Sequence, residues 1–546
     1  MAIGAGSEGG LLVRELSGVE LRAGGSVNFN DLPGFLGRLE RTGRVRWIWA
    51  AAAECYPELL RRGVRLARCH DVALVEALLL SRDGRHGEPA TLAAAWARLR
   101  GERVPRSRPA PSGDQPALFE AGEPGLPEGT ARLDAVAAVY ADQLERIAAG
   151  QHPARMRLLA AAESAGGLAA AEMSFDGLPW RADVHDRLLT GLLGPRPPRG
   201  SRPRRLAELA EQIGSAFGGR PVNPDSPSQI VRAFAAEGVA VPSTRSEVLS
   251  RIDHPVVPLL LEYKELSRLH AAHGWTWLDT WVSDGRFRPE YVVGAVVSGR
   301  WASNGGGALQ IPRVLRRAVV ADPGWTLVVG DAAQLEPRVL AALAGDRAFG
   351  AAAATGDLYT ELAGAFGGDR RQAKLALLSA MYGGSGGEGG QLLAVLRRRF
   401  PEAAAYVEDA AREGEEGGVV RSVLGRSCPP PSAAWRSVTA SPGPAATRAV
   451  RARGRFTRNF VVQASAADWA IVLLAGLRRR LAGLGEAHLV FFQHDEVVVH
   501  CPVPLAEPVV AAIAEAAQEA GRLVFGATPV RFPVQTAVTG CYADAK

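Results

Sequence analysis

Thr326-Leu-Val-Val-Gly-Asp-Ala-Ala-Gln-Leu-Glu-Pro-Arg338 sets a carboxylate, Asp331, where an apolar run ends. Far downstream, Val490-Phe-Phe-Gln-His-Asp-Glu-Val-Val-Val499 does the same with Asp495. The second stretch reads as a hairpin, because two runs rich in Val and Phe flank only the polar His494, Asp495 and Glu496. In the first, a buried strand is expected to stop at Gly330. Gln334 to Leu343 then shows helical spacing of apolar residues, so Asp331 falls at a strand-to-helix junction. Taken singly, each acid reads as a solvated turn residue or an N-cap. Two such ends converging would form one site for hard cations.

Between them runs Asp369-Arg-Arg-Gln-Ala-Lys-Leu-Ala-Leu-Leu-Ser-Ala-Met-Tyr-Gly383. Arg370, Lys374, Leu378 and Tyr382 recur every four residues and share one helix face. Lys374 is unusual: the chain has three lysines, Lys264, Lys374 and Lys546, and the other 60 of its 63 basic residues are arginine. A compact ammonium chosen against that background suits a group that must give up a proton. A snorkelling Lys on a solvated face is the plainer alternative. A second ladder, Arg455, Asn459 and Gln463, lies in Arg455-Phe-Thr-Arg-Asn-Phe-Val-Val-Gln463. Its polar row suits a nucleic-acid strand, and equally a solvated stripe.

In this order, the segments resemble the motifs of the A-family DNA polymerases. Asp331-Ala-Ala-Gln-Leu-Glu336 is similar to the family's motif A, Arg370 to Gly383 to the fingers helix of motif B, and His494-Asp-Glu496 to motif C. Ser298-Gly-Arg-Trp-Ala-Ser303 and Leu309-Gln-Ile-Pro312 resemble the segment before motif A. Leu260-Leu-Glu-Tyr-Lys-Glu-Leu266 resembles the thumb helix, and Ser226-Pro-Ser-Gln229 with Ser243-Thr-Arg-Ser-Glu-Val248 the segment leading to it. The likeness spans roughly residues 165 to 546.

The resemblance implies template-directed DNA synthesis by two-metal phosphoryl transfer, with Asp331 and Asp495 holding two Mg²⁺ ions, Mn²⁺ able to replace them, and Glu496 secondary. Arg370 and Lys374 are implied to grip the triphosphate, with Lys374 protonating the pyrophosphate leaving group. Gln334, Glu336, Leu378 and Tyr382 are implied to surround the deoxynucleotide, Glu336 excluding a ribose 2′-hydroxyl. Arg300, Gln310, Arg455, Asn459, Gln463 and His494 match positions holding primer-template DNA without reading its sequence. Two departures stand out. Leu378 replaces the family's bulky aromatic, with Leu377-Leu-Ser379 where Asn-Phe-Gly is usual, and Pro337 enters the first turn after motif A.

A chain of 546 residues with 47% hydrophobic content can build several cores, and its net charge of +6 suits a polyanionic partner. Cys55, Cys69, Cys428, Cys501 and Cys541 fall into no metal spacing and read as reduced thiols. With no basic start ahead of an apolar core and no apolar run read as long enough to span a bilayer, a cytoplasmic, nucleoid-associated monomer without membrane contact is expected.

Gly101 to Gly129, dense in Pro, Gly and charge, reads as a linker inside the N-terminal region. Gly43 to Ala50 reads as a strand, Cys55 to Leu80 as helical pieces around a short strand, and Ala131 to Ala165 as amphipathic helix. By position, residues 1–160 resemble the family's proofreading exonuclease domain, of RNase H-like fold. The expected Asp-x-Glu pair is missing, Glu15 and Glu20 lie too far apart to replace it, and Tyr140 has no Tyr-x-x-x-Asp. A degenerate scaffold is therefore expected. No segment resembles the 5′ nuclease domain of longer members, and Gly383 to Gly390 lacks the Lys-Ser/Thr of a phosphate loop, so it reads as a bend after the fingers helix.

The expected architecture is a multidomain α/β right hand behind that N-terminal domain. Within 161–546 the thumb covers about 165–285, the palm about 286–345 and 436–546, and the fingers about 346–435. A second reading is a catalytically weak primer-template binding scaffold for repair. Glu336 argues against a template-dependent RNA polymerase.

Overall fold

The computed structural model describes the chain apart from residues 1, 6–10, 18–19, 22–24, 28–31, 44, 106–125, 127–129, 199, 305–306, 308–310, 355–356, 365–367, 383–393, 395–396 and 546. Gln310, the glycine-rich stretch 383–390 and most of the 101–129 linker thus lie outside the described residues. The chain forms two compact units. One comprises residues 1–175, 291–302 and 328–537, the other 176–290, 303–327 and 538–546.

In the first unit, an N-terminal five-stranded sheet runs in the order Gly25–Val27, Leu11–Arg14, Ala2–Ala5, Trp47–Trp49, Cys69–Asp71. The first three strands pair antiparallel and the last two join parallel. Trp47, Ile48 and Trp49 are all buried, as parallel strands covered on both faces require. Helices Ala52–Arg61 and Val72–Arg82 begin where the two parallel strands end. Asp71 serves both, its carboxylate accepting from the Ala52 N–H at 2.6 Å and the Leu74 N–H at 3.0 Å.

A second sheet positions the site. Its order is His488–Gln493, Glu496–Pro502, Trp325–Ala332, Val534–Thr539. Leu327, Val328 and Val329 are buried on both faces. Gly330 permits that packing, since a Cβ there would meet Val534 at 3.0 Å and Val497 and Ile513 at 3.2 Å. The strand continues through Asp331 to Ala332, two residues past the expected stop at Gly330, because Ala332 still finds a backbone partner across the sheet.

The helix Pro444–Ala482 contributes a long buried run to the core around this sheet. It holds an apolar window with the length and composition of a membrane span, contrary to the expectation that no run was long enough, yet 89% of that window is buried inside the fold. Arg426 is buried against Glu163, which accepts its Nη2 hydrogen bond, and stands 3.4 Å from Asp468. Gly299, at φ 84°, lets the turn before Arg300 lie on that guanidinium, where a Cβ would come within 2.3 Å.

The second unit is mainly helical, and its longest helix is Val256–His273. Its core packs Trp180, Trp277 and Phe287 against one another in tilted and edge-on contacts, with His185 against the two tryptophans. Lys264 there donates to the carbonyl and hydroxyl oxygens of Thr244 at 2.6 and 3.0 Å.

Candidate active site

The two acidic segments meet. The strands His488–Gln493 and Glu496–Pro502 pair antiparallel with Gln493 opposite Glu496, leaving His494 and Asp495 as a two-residue turn. His494 takes φ 58°, the left-handed region that such tight turns use. From the neighbouring strand, the Ala332 N–H donates to the Asp495 carbonyl at 3.0 Å. Asp331, one residue before Ala332, and Asp495 therefore occupy adjoining strand ends, and both are half-buried. Glu496 is buried beneath the turn. Tyr291 braces the hairpin, donating its hydroxyl to the Phe492 carbonyl at 3.1 Å and accepting the Phe492 N–H at 3.0 Å.

Among the described residues no group of three or more His, Cys, Asp and Glu side chains could hold a metal ion. Two half-buried carboxylates at one sheet end nevertheless fit Mg²⁺, a hard cation that commonly takes one or two protein carboxylates and completes its octahedron with substrate phosphate and water.

Beside this corner, Glu336 stands in the first turn of the helix Leu335–Ala344. Its two oxygens accept separately from Arg300 Nη2 and the Tyr382 hydroxyl. Only 15% of the Glu336 side chain is exposed, against 38% for Arg300. Burial, and then the Glu336 carboxylate, push the Tyr382 hydroxyl up to about 12, while a hydrogen bond with Gln463 pulls the other way. At the turn, His494 is held below the usual imidazole range, first by desolvation and then by the Arg300 charge, with Glu336 opposing. Arg300, Glu336, Tyr382, Gln463 and His494, drawn from five separate segments, thus form one cluster.

Asp369 caps the helix Arg370–Tyr382, its carboxylate accepting the Arg371 N–H at 2.7 Å and the Gln372 N–H at 3.2 Å. Ala373, Ala376, Leu377 and Met381 bury one side of the helix. The ladder runs from exposed Arg370 and Lys374 to half-buried Leu378 and Tyr382. On the long helix, Arg455 is exposed and Asn459 and Gln463 are half-buried. The Asn459 carboxamide oxygen is buried without a hydrogen-bond partner among the described residues.

Two residues escaped the sequence reading. Asp357 caps the short helix Leu358–Ala363 and accepts from both Gln334 and Arg370, while Tyr359 lies beneath the Arg370 guanidinium, 5.6 Å from ring centroid to charge. An Asp before a short helical run signals a cap. Nothing local signals that it meets Arg370. Gln334, left-handed at φ 57°, ψ 43°, has both ends of its carboxamide engaged by residues 357 and 358.

The family model for DNA polymerase family A matches residues 201–540, and the chain belongs to that family. It is 31% identical over 360 residues to a thermostable DNA polymerase I of Thermus filiformis, covering 57% of this chain and 41% of that protein. It is 27% identical over 354 residues to a DNA polymerase I of Chloroflexus aurantiacus, covering 56% of this chain and 36% of the relative. The chain thus spans less than half the length of these relatives. In three dimensions it is similar to the polymerase domain of Pol1 from M. smegmatis, solved with DNA primer-template and dNTP. The TM-score is 0.72 at 20% identity, covering 96% of this chain and 91% of the other. The fold is that mixed α/β polymerase architecture.

Proposed function

We propose that the chain is a template-directed DNA polymerase, extending a primer 3′ end with deoxynucleoside triphosphates by two-metal phosphoryl transfer. The observation that carries this reading is the hydrogen bond from Ala332 to Asp495, which holds two carboxylate-bearing strand ends at one corner. Asp331 and Asp495 would ligate two Mg²⁺, with Mn²⁺ able to replace them, and Glu496 supports the turn. Bound there, the ions would supply charge stabilisation to the attacking and leaving oxygens. Arg370 and Lys374, exposed on one helix face, draw in the triphosphate, and Lys374 is suited to return a proton to pyrophosphate.

Glu336, fixed by Arg300 and Tyr382, makes a rigid wall where a 2′-hydroxyl would enter, and Leu378 lines the pocket without an aromatic ring. Gln334 backs the nucleotide site. Arg300, Gln310, Arg455, Asn459, Gln463 and His494 hold the primer-template. The buried, unpartnered oxygen of Asn459 supports a contact with a hydrogen-bond donor.

The domain reading is an RNase H-like scaffold over 1–160, a thumb near 165–285, palm near 286–345 and 436–546, and fingers near 346–435. The N-terminal strand order, three antiparallel strands continued by two parallel ones, supports the first assignment. The grouping of 176–290 in one unit supports the second. The enzyme would work as a cytoplasmic, nucleoid-associated monomer in repair or replication, without proofreading. Primer extension on a defined template with Mg²⁺, supplying each deoxynucleotide and ribonucleotide separately, tests the proposal. Incorporation directed by the template base supports it, and retention of unextended primer with intact DNA binding would favour the scaffold reading.

A further inference from the structure

Arg370 is held on two sides before any nucleotide arrives. Its Nε and Nη2 both stand 2.9 Å from one oxygen of Asp357, Oδ2, and its face lies over Tyr359. A guanidinium carries five N–H donors in a planar fork. Using Nε and one Nη2 hydrogen on Oδ2 leaves the second Nη2 hydrogen and one Nη1 hydrogen on the outer edge, which still forms a two-nitrogen fork of the kind that takes phosphate bidentately.

The other oxygen of Asp357 is committed inward. Oδ1 accepts from the Tyr359 N–H at 2.9 Å, the Thr360 N–H at 3.1 Å and Gln334 Nε2 at 2.8 Å. Gln334 closes the loop by accepting the Leu358 N–H at 2.8 Å. Gln334 lies three residues after Asp331 and two beyond the end of the strand Trp325–Ala332 that carries it.

We infer that Asp357 is a positioning residue for the triphosphate, which orients the Arg370 guanidinium from one edge and ties it, through Gln334, to the strand end carrying Asp331. This rests on the polymerase reading, in which Arg370 meets the phosphates. The two oxygens divide the work, Oδ1 fixing Asp357 and Oδ2 aiming Arg370. The pair is not a major source of stability: the side chains are 40% and 55% exposed, and exposed ion pairs contribute little. Its value lies in sparing a long, exposed arginine part of the ordering cost when nucleotide binds.

Asp357→Asn isolates the Oδ2 role, because the carboxamide keeps one acceptor for the inward donors and presents an NH₂ that cannot accept from Arg370. Asp357→Ser provides a second variant, capping the helix but too short to reach the guanidinium. Steady-state primer extension would be measured for wild type, each variant, Arg370→Ala, and each variant combined with Arg370→Ala, alongside thermal unfolding midpoints. The expected result is a KM for deoxynucleotide raised about three- to fivefold in both Asp357 variants, kcat within about twofold, and unfolding midpoints near wild type. In the Arg370→Ala background the same changes should have no further effect.

An Asp357 effect that persists without Arg370 would overturn the inference, since it would then act through the cap alone. A lowered KM would overturn it too, by making Asp357 a competitor for Arg370. Failure of the parent reading looks different: wild type itself would not extend primers.

Discussion

The amide of Ala332 and the carbonyl of Asp495 are joined at 3.0 Å although 163 positions separate them, and this bond brings together the two chain segments that carry the carboxylates proposed to ligate metal. Because it is a backbone bond, side-chain exchange at either acid leaves the frame in place. Asp331→Asn and Asp495→Asn should each reduce primer extension by about a thousandfold or more, while primer-template affinity stays near wild type. Single-turnover extension and an anisotropy titration with labelled DNA would measure the two separately. Near-normal extension by either variant would displace the metal site from this corner.

Glu336 is braced by Arg300 on one oxygen and Tyr382 on the other, so it is held in place without a nucleotide. Removing it in Glu336→Ala should open room for a 2′-hydroxyl and lower discrimination against ribonucleotides by at least about tenfold. Comparing kcat/KM for matched deoxy- and ribonucleotides decides the matter. Equal discrimination in variant and wild type would mean that the gate lies elsewhere.

Much of this corner was legible in the sequence because its parts are local. Two runs rich in Val and Phe flanking only the polar His494, Asp495 and Glu496 encode a hairpin, and the four-residue ladder from Arg370 to Tyr382 encodes a helix face. The exact strand end was not legible, since it depends on Ala332 finding Asp495 across the sheet. Asp357 was missed for a similar reason: a short capped helix reads as ordinary punctuation, and its meeting with Arg370 is tertiary. Gln334 is assigned to the nucleotide site from the resemblance, and its hydrogen bonds to residues 357 and 358 are tertiary contacts with no local signal in the sequence.

His70 supplies a pH dependence with a definite sign. Burial lowers its pKa to about 4, with a hydrogen bond to Gln143 Oε1 at 2.9 Å opposing that shift. A histidine depressed in the folded state contributes stability that is present above its unfolded pKa, near 6.5, and is lost as pH falls toward 4. The full effect is about 3 kcal/mol. Asp71, raised to about 6 by burial, acts in the opposite sense, losing its contribution as pH rises through 6. The comparison must therefore be between proteins. His70→Gln keeps a neutral donor toward Gln143 and should show a smaller fall in denaturation midpoint between pH 7.5 and pH 5 than wild type. Parallel curves would mean that His70 is not the titrating group.

The purified protein should lack proofreading activity. Residues 1–160 contain no Asp-x-Glu pair. A two-metal exonuclease without paired carboxylates has nothing to hold its ions. The relevant substrate is a labelled primer with a mismatched 3′ end, incubated with Mg²⁺ and no nucleotides. The expected outcome is an unshortened primer, alongside a matched primer that the same preparation extends once deoxynucleotides are added, so that an inactive sample cannot pass for support. Shortening that disappears in Asp331→Asn would point to pyrophosphorolysis at the polymerase corner, which added pyrophosphatase should also suppress. Shortening that survives in Asp331→Asn and follows purified protein through successive columns would place a working nuclease elsewhere in the chain, and the N-terminal region could no longer be read as a scaffold.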